Sequence, residues 1–178
     1  KAADVCTVLL VSANPNSGVR LRVDKEFRDV IARMRATKHR DRFNFVQLQA
    51  ARFDDLRTAL LEHQPQVLHI SSHGDEDGNL SFEGKGDAAQ LVSQRQFTKL
   101  LAAVEGLGLV VLNACHSRVL AVKLPEVSGL AIGMSDAVAD TAAIEFAVAF
   151  YEALGFGRSV DAAVKLAVAG LDEADADG

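Results

Sequence analysis

The stretch Gln66–Gly84, QVLHISSHGDEDGNLSFEG, opens with the apolar residues Val67, Leu68 and Ile70 and ends on Ser71, Ser72, His73 and Gly74 before its hairpin-like remainder. A strand buried enough to carry that apolar run has no structural need to finish on two hydroxyls, an imidazole and a glycine. A second stretch repeats the design. Gly108–Ser117, GLVVLNACHS, runs apolar and then turns to Asn113, Ala114, Cys115 and His116. Each of two buried strands therefore ends in one half of a thiol–imidazole pair.

The rest of the chain sets the frame for that pair. It has 178 residues, 49% of them hydrophobic, enough for one domain with a sizeable core. Charged residues make up 24%, an ordinary globular share. The net charge of −5 and a pI near 5.5 argue against nucleic acid or an anionic membrane as the main partner. No apolar stretch approaches a membrane-spanning length. The start, KAADVCTVLLVSANP, has one Lys before an apolar run, but it is short, β-branched and ends at Asn14-Pro15, which reads as a strand and not a secretory signal. The missing initiator Met fits a domain cut from a longer protein. Of the two cysteines, Cys6 lies inside VCTVLLV and is expected as a small buried thiol. Cys115, at a strand end, has the reactive address. Two cysteines make no disulfide scaffold, so reduced thiols and a cytoplasmic setting are expected.

Apolar runs alternate with helical spacing from end to end. VCTVLLVSA predicts a first strand, stopped by Asn14-Pro15-Asn16-Ser17-Gly18. Leu21, Phe27, Val30, Ile31 and Met34 then follow a helical period. FNFVQLQAA predicts a half-exposed strand, and RFDDLRTALLEHQ a short helix with Phe53, Leu56 and Leu60 inward, closed by Pro65. Turn residues in DGNLSFEGKGDAAQLVS predict a hairpin at the sheet edge. Ser93 opens a helix as its cap, burying Phe97, Leu100, Leu101 and Val104. LVVLNAC is unbroken enough to be buried on both faces, as in a parallel sheet. After a short connection GLAIGMSDA supplies another strand. Two helices finish the chain, from about Thr141 to Leu154 and after Ser159, the second burying Val164, Val168 and Leu171. The expectation is a single α/β domain over residues 1–171 with a mostly parallel central sheet flanked by helices, and a frayed acidic tail at 172–178.

In open parallel sheets sites form at the carboxyl ends of strands, where His73 and Cys115 both fall. A right-handed crossover through the hairpin and one helix brings their strands side by side. A thiolate is the nucleophile and an imidazole can take its proton. An oxyanion then needs donors already in place, and the N–H groups of Gly74 and Cys115 are the natural pair, since Gly lets the main chain approach an acyl group closely. No third residue that would orient the His is visible in the sequence, and a backbone carbonyl could serve. The alternative is that His73 is only a polar strand end and Cys115 only core, and the residues alone leave both readings open.

HISSHG and LNACHS resemble the His and Cys motifs of CHAT domains, the caspase-like cysteine peptidases often joined to TPR repeats. The resemblance continues through LLVSANPNSGVRLRVDKEFRDV, DRFNFVQLQAARFDDLRTALLEHQPQVLH and AIGMSDAVADTAAIEFAVAFYEALGFGRSVDAAVKLA, nearly the whole chain in matching order. Ser72 stands where many members have Gly. The resemblance implies a caspase–haemoglobinase fold of three layers, with His73 as general base and Cys115 as nucleophile in peptide-bond hydrolysis. It implies a bacterial, cytoplasmic protein acting on a protein or peptide, often the effector end of a defence or signalling protein. A sensor, TPR or adaptor domain in the parent protein would switch it. The family also contains members not shown to cleave anything, and a non-catalytic caspase-like interaction module is the competing function.

Other motifs carry less. His69, His73, Cys115 and His116 do not make a metal site, because H-x-x-x-H serves a metal on a helix and His69 lies within a strand. Asp75, Asp77 and Asn79 resemble a calcium loop, but its sixth position is Leu80 and Glu83 comes too early, so a solvated turn is expected. GFGRSV and GLG lack the strand–glycine–helix context of nucleotide loops. No cofactor is expected. NPNSG after the first strand is flexible enough to take an anion, the weakest of the alternatives, a flavodoxin-like binder. For substrate contacts, Asp136 and Asn113 are the candidates. A carboxylate at Asp136 would favour Arg or Lys at the cleaved bond, whereas Arg20 and Arg22 would favour an acidic residue. Helix capping for Asp136 and a solvated face for the arginines fit equally well.

Overall fold

Buried, β-branched runs become strands here and amphipathic runs become helices, in the order the patterns suggest. A computed structural model describes residues 5–15, 22–86, 88–135 and 139–174. The chain divides into two compact units. One comprises Cys6–Leu21 and Asn44–Val138, the other Lys1–Val5, Arg22–Phe43 and Ala139–Gly178.

In chain order the elements are β1 (Cys6–Ser12), α1 (Val23–Arg35), a 3-10 turn (Arg40–Arg42), β2 (Phe43–Leu48), α2 (Phe53–His63), β3 (Val67–Ser71), β4 (Leu80–Glu83), β5 (Ala89–Val92), α3 (Gln94–Ala102), β6 (Leu109–Asn113), α4 (Arg118–Ala121), α5 (Pro125–Ser128), β7 (Leu130–Gly133), α6 (Asp140–Gly155) and α7 (Val160–Ala174). Five strands form one sheet in the order β2-β1-β3-β6-β7, and β1, β3, β6 and β7 run parallel. The expected α/β class with a mostly parallel sheet is therefore the observed one. Val8, Leu9, Leu10 and Val11 are all fully buried, as are Leu68, Ile70, Val110, Val111 and Leu112. Burial on both faces is what unbroken apolar runs specify in parallel strands. β2, at the sheet edge, is only half-buried, in keeping with its alternation.

The core of the larger unit gathers Leu9, Val11, Leu68, Ile70, Val110 and Leu112 from the sheet with Leu56, Leu60, Phe97 and Leu101 from α2 and α3. Local signals set the helix ends. The Asp55 carboxylate accepts from the Arg52 N–H at 3.0 Å to start α2, Gln64 ends it in the left-handed conformation, and the buried Pro65 follows. Ser93 caps α3, its Oγ accepting from the Gln96 N–H at 3.2 Å.

The structure corrects several details. The hairpin forms, but β4 and β5 pair with each other as a separate two-stranded sheet and do not extend the larger one. Its inner face (Leu80, Phe82, Val92) is fully buried in the same core, and Phe82 meets Phe53 edge-on with centroids 5.6 Å apart. The connection before β7 contains two one-turn helices, α4 and α5. Cys6 is half-buried rather than core, because it is the first residue of β1. In the smaller unit α7 buries Ala163 and Ala167, while Val168 is 44% exposed and Val164 and Leu171 are only half-buried. Small residues let α7 lie close to another helix, and in this unit α6 is the one it packs on. Ser159 caps α7 as expected, accepting from the Ala162 N–H at 3.3 Å. Helix α7 extends to Ala174, into the stretch read as a tail, and residues 175–178 lie outside the described residues.

Candidate active site

Register brings the candidate residues together. Ser12 of β1 is level with Ser71 of β3, and Ser71 with Asn113 of β6. Two residues beyond this row, on neighbouring chain segments, come Asn14, His73 and Cys115. The Ala13 N–H donates to the Ser71 carbonyl at 3.1 Å and the Ser72 N–H to the Asn113 carbonyl at 3.3 Å, so the alignment continues past the strands.

His73 is half-buried, and its Nε2 lies 3.1 Å from Asn14 Oδ1. Its carbonyl accepts from the Ser81 N–H at 2.9 Å, which ties the His73 loop to the hairpin. Asp75 N–H donates to the Asn79 carbonyl at 3.2 Å, completing an antiparallel bridge of Gly74 with Leu80. Both bonds of that bridge flank Gly74, whose own N–H stays outside the ladder. A β-carbon on Gly74 would overlap the Cys115 carbonyl oxygen and come within 3.5 Å of the Ala114 side chain. Glycine there lets the two loops touch main chain to main chain.

Cys115 is half-buried, with a free thiol. Behind it, His116 adopts a positive φ of 56°, a left-handed conformation that costs a non-glycine residue roughly 1–3 kcal/mol and bends the chain sharply into α4. Ser117 holds the bend. Its fully buried Oγ donates to the Leu112 carbonyl at 3.0 Å and accepts from the Met134 N–H at 2.9 Å. The Cys loop is thereby pinned both to β6 and to the end of β7. A β-carbon at Gly133 would meet Ala121 and Ser117 within 2.8 Å, so this packing also depends on glycine.

Other candidates lie elsewhere. Asn113 ends β6 half-buried, its carbonyl used by Ser72. Asp136 and Arg20 lie outside the described residues. Arg22 is exposed, and its N–H donates to Asp140 Oδ2 at 3.1 Å at the start of α6. His69 is fully buried within β3, its Nε2 3.1 Å from Ser71 Oγ on the same face of the strand. In the loop that resembled a calcium site, Asp75 accepts from both the backbone and the side chain of Asn79, each at 2.9 Å. Among the described residues no group of three or more His, Cys, Asp or Glu side chains could hold a metal ion. None of the described helices is long and apolar enough to cross a membrane.

Sequence reading missed Asn14. Its polar side chain after an apolar strand repeats the design at His73 and Cys115, but Asn-Pro reads first as a strand stop.

A parallel α/β sheet with a His loop and a Cys loop abutting at the carboxyl ends of neighbouring strands defines the class. The CHAT domain family matches residues 2–177, and the chain belongs to it. A probable protease of Gillisia limnaea (strain DSM 15749 / LMG 21470 / R-8282) is 28% identical over 158 residues, covering 86% of this chain and 28% of that protein. A Roc-COR-CHAT protease of an unknown prokaryotic organism is 27% identical over 173 residues, covering 89% of this chain and 16% of that protein. The chain thus spans less than a third of either relative, and both carry the name of protease.

Proposed function

We propose that this chain is the cysteine endopeptidase domain of a larger protein, with Cys115 as nucleophile and His73 as general base. The observation that carries the reading is the shared register, which sets His73 and Cys115 two residues beyond the paired ends of β3 and β6. Protease-named relatives and the family support the activity class.

The chemistry follows from the groups present. The Cys115 S–H proton passes to the imidazole nitrogen of His73 that Asn14 does not engage, and the thiolate attacks the carbonyl carbon of the scissile peptide bond. The oxyanion is held by the N–H groups of Gly74 and Cys115. The C–N bond breaks as the imidazolium gives its proton to the leaving amine, which leaves a thioester on Cys115. Water, deprotonated by His73, attacks that thioester, releasing the acid and restoring the thiol. Asn113 and Asp136 are the proposed substrate-contacting residues, with Asp136 favouring a basic side chain at the cleaved bond.

The Roc-COR-CHAT relative supports a parent protein in which other domains control the peptidase. A defence or signalling effector in a bacterial cytoplasm is the setting proposed for it. Digestion of a peptide library tests the activity. Cleavage that vanishes in Cys115→Ala, with the circular dichroism spectrum unchanged, is the expected result. Equal cleavage by wild type and Cys115→Ala would remove the thiol from the reaction. A non-catalytic interaction module would cleave nothing, and its Cys115 would alkylate at a rate indifferent to His73.

A further inference from the structure

A side chain from a third strand end meets His73. Asn14 Oδ1 lies 3.1 Å from His73 Nε2. An amide oxygen only accepts, so this contact calls for a proton on Nε2, and in the neutral ring Nδ1 then carries the lone pair. The Asn14 main chain is itself anchored. Its N–H donates to Glu83 Oε1 at 3.0 Å. The residue before it is bonded to β3, through Ala13 N–H and the Ser71 carbonyl at 3.1 Å. The residue after it is the buried Pro15, which confines Asn14 to extended backbone. Glu83 is anchored in turn, its N–H donating to the Ala51 carbonyl at 2.9 Å, while the Ala51 N–H donates to the Ser12 carbonyl at 2.9 Å. The Asn14 main chain, from which the amide projects, is therefore anchored to β3 and, through the Glu83 carboxylate, to β4, and neither anchor depends on a substrate.

We infer that Asn14 is the positioning residue for His73, holding the imidazole as its Nε2–H tautomer and so presenting Nδ1 as the base for Cys115. This rests on the peptidase reading above and adds to it the group that orients the base, working as a neutral acceptor in place of a carboxylate. A half-buried imidazole without that acceptor would distribute between two tautomers and two ring orientations, and only one of these puts a lone pair toward the thiol. Glu83 ties the Asn14 main chain to the hairpin, because the β4 strand that supplies the carboxylate also bonds the His73 carbonyl through Ser81.

The test is carried out in a Cys6→Ala background, so that Cys115 is the sole thiol. Long-range proton–nitrogen NMR spectra of the ¹⁵N-labelled chain report the His73 tautomer, with His73→Ala identifying its signals. The rate of Cys115 alkylation by iodoacetamide at neutral pH reports the thiol. Wild type is expected to show the Nε2–H tautomer. Asn14→Ala is expected to mix the tautomers and to slow alkylation by about 10-fold or more, and Asn14→Asp, which keeps an acceptor, to restore both. Asn14→Leu, of similar volume, replaces Asn14→Ala if the smaller side chain unfolds the protein. A folded Asn14→Ala or Asn14→Leu that keeps either the wild-type tautomer or the wild-type alkylation rate overturns the inference. Failure of the peptidase reading shows separately, as alkylation unaffected by His73→Ala.

Discussion

Gly74 and Cys115 touch through their main chains, with the Gly74 α-carbon so close to the Cys115 carbonyl oxygen that no side chain fits between them. This contact sets the loop after β3, which carries His73, directly against the loop after β6, which carries Cys115. A substitution at Gly74 probes the joint without changing either chemical group.

Gly74→Ala is expected to force the two loops apart, lowering stability by roughly 1–3 kcal/mol, the usual cost of overpacking. Urea denaturation measures that loss, and a slower Cys115 alkylation in the folded variant would register the displaced loop. Unchanged values of both would mean that the loops relax freely.

Ser117→Ala removes a hydroxyl that bridges the Leu112 carbonyl and the Met134 N–H. The N–H at Met134 then loses its acceptor in a tightly packed turn, a loss of roughly 1–3 kcal/mol. Chemical denaturation gives the stability, and hydrogen exchange at the Met134 amide should accelerate well beyond what global unfolding explains. Exchange no faster than in wild type would show that the turn finds another acceptor.

How far these features were visible beforehand depends on the scale of the signal. β3 and β6 were legible because an apolar run ended abruptly by polar residues is a local pattern. Ser93 and Ser159 were legible as caps because the hydroxyl acts within three residues. α4 and α5 were not, since a four-residue helix is too short to display a period and is held by its surroundings. On α7 the apolar residues surround most of the helix, so the sequence offered no preferred face, and the larger Val164, Val168 and Leu171 looked like the core. Close packing instead selected Ala163 and Ala167. That His73 and Cys115 follow neighbouring parallel strands was readable from two similar strand ends. Asn14 was not, because its contact with His73 crosses 59 residues of sequence.

Phe82→Ala should detach the hairpin before it unfolds the sheet. Phe82 is fully buried against Phe53, and its truncation costs about 3–5 kcal/mol. If the hairpin governs His73 through Ser81, faster exchange of the Ser81 amide will accompany a lower alkylation rate at Cys115. Faster exchange with alkylation unchanged would separate the hairpin from the site.

Ser93→Ala removes the cap of α3, expected to lower stability by about 1 kcal/mol. Because the loss is confined to the first turn of that helix, Cys115 alkylation should stay at the wild-type rate. A matching fall in alkylation would show that α3 supports the site.

The central claim is that His73 acts on the Cys115 thiol. The most direct measurement is the iodoacetamide alkylation rate of Cys115 in folded Cys6→Ala protein, compared with the same protein carrying His73→Ala. A fall of about 100-fold on losing the imidazole, within the usual range for a general base, is the predicted result. Equal rates in two folded proteins would contradict the dyad.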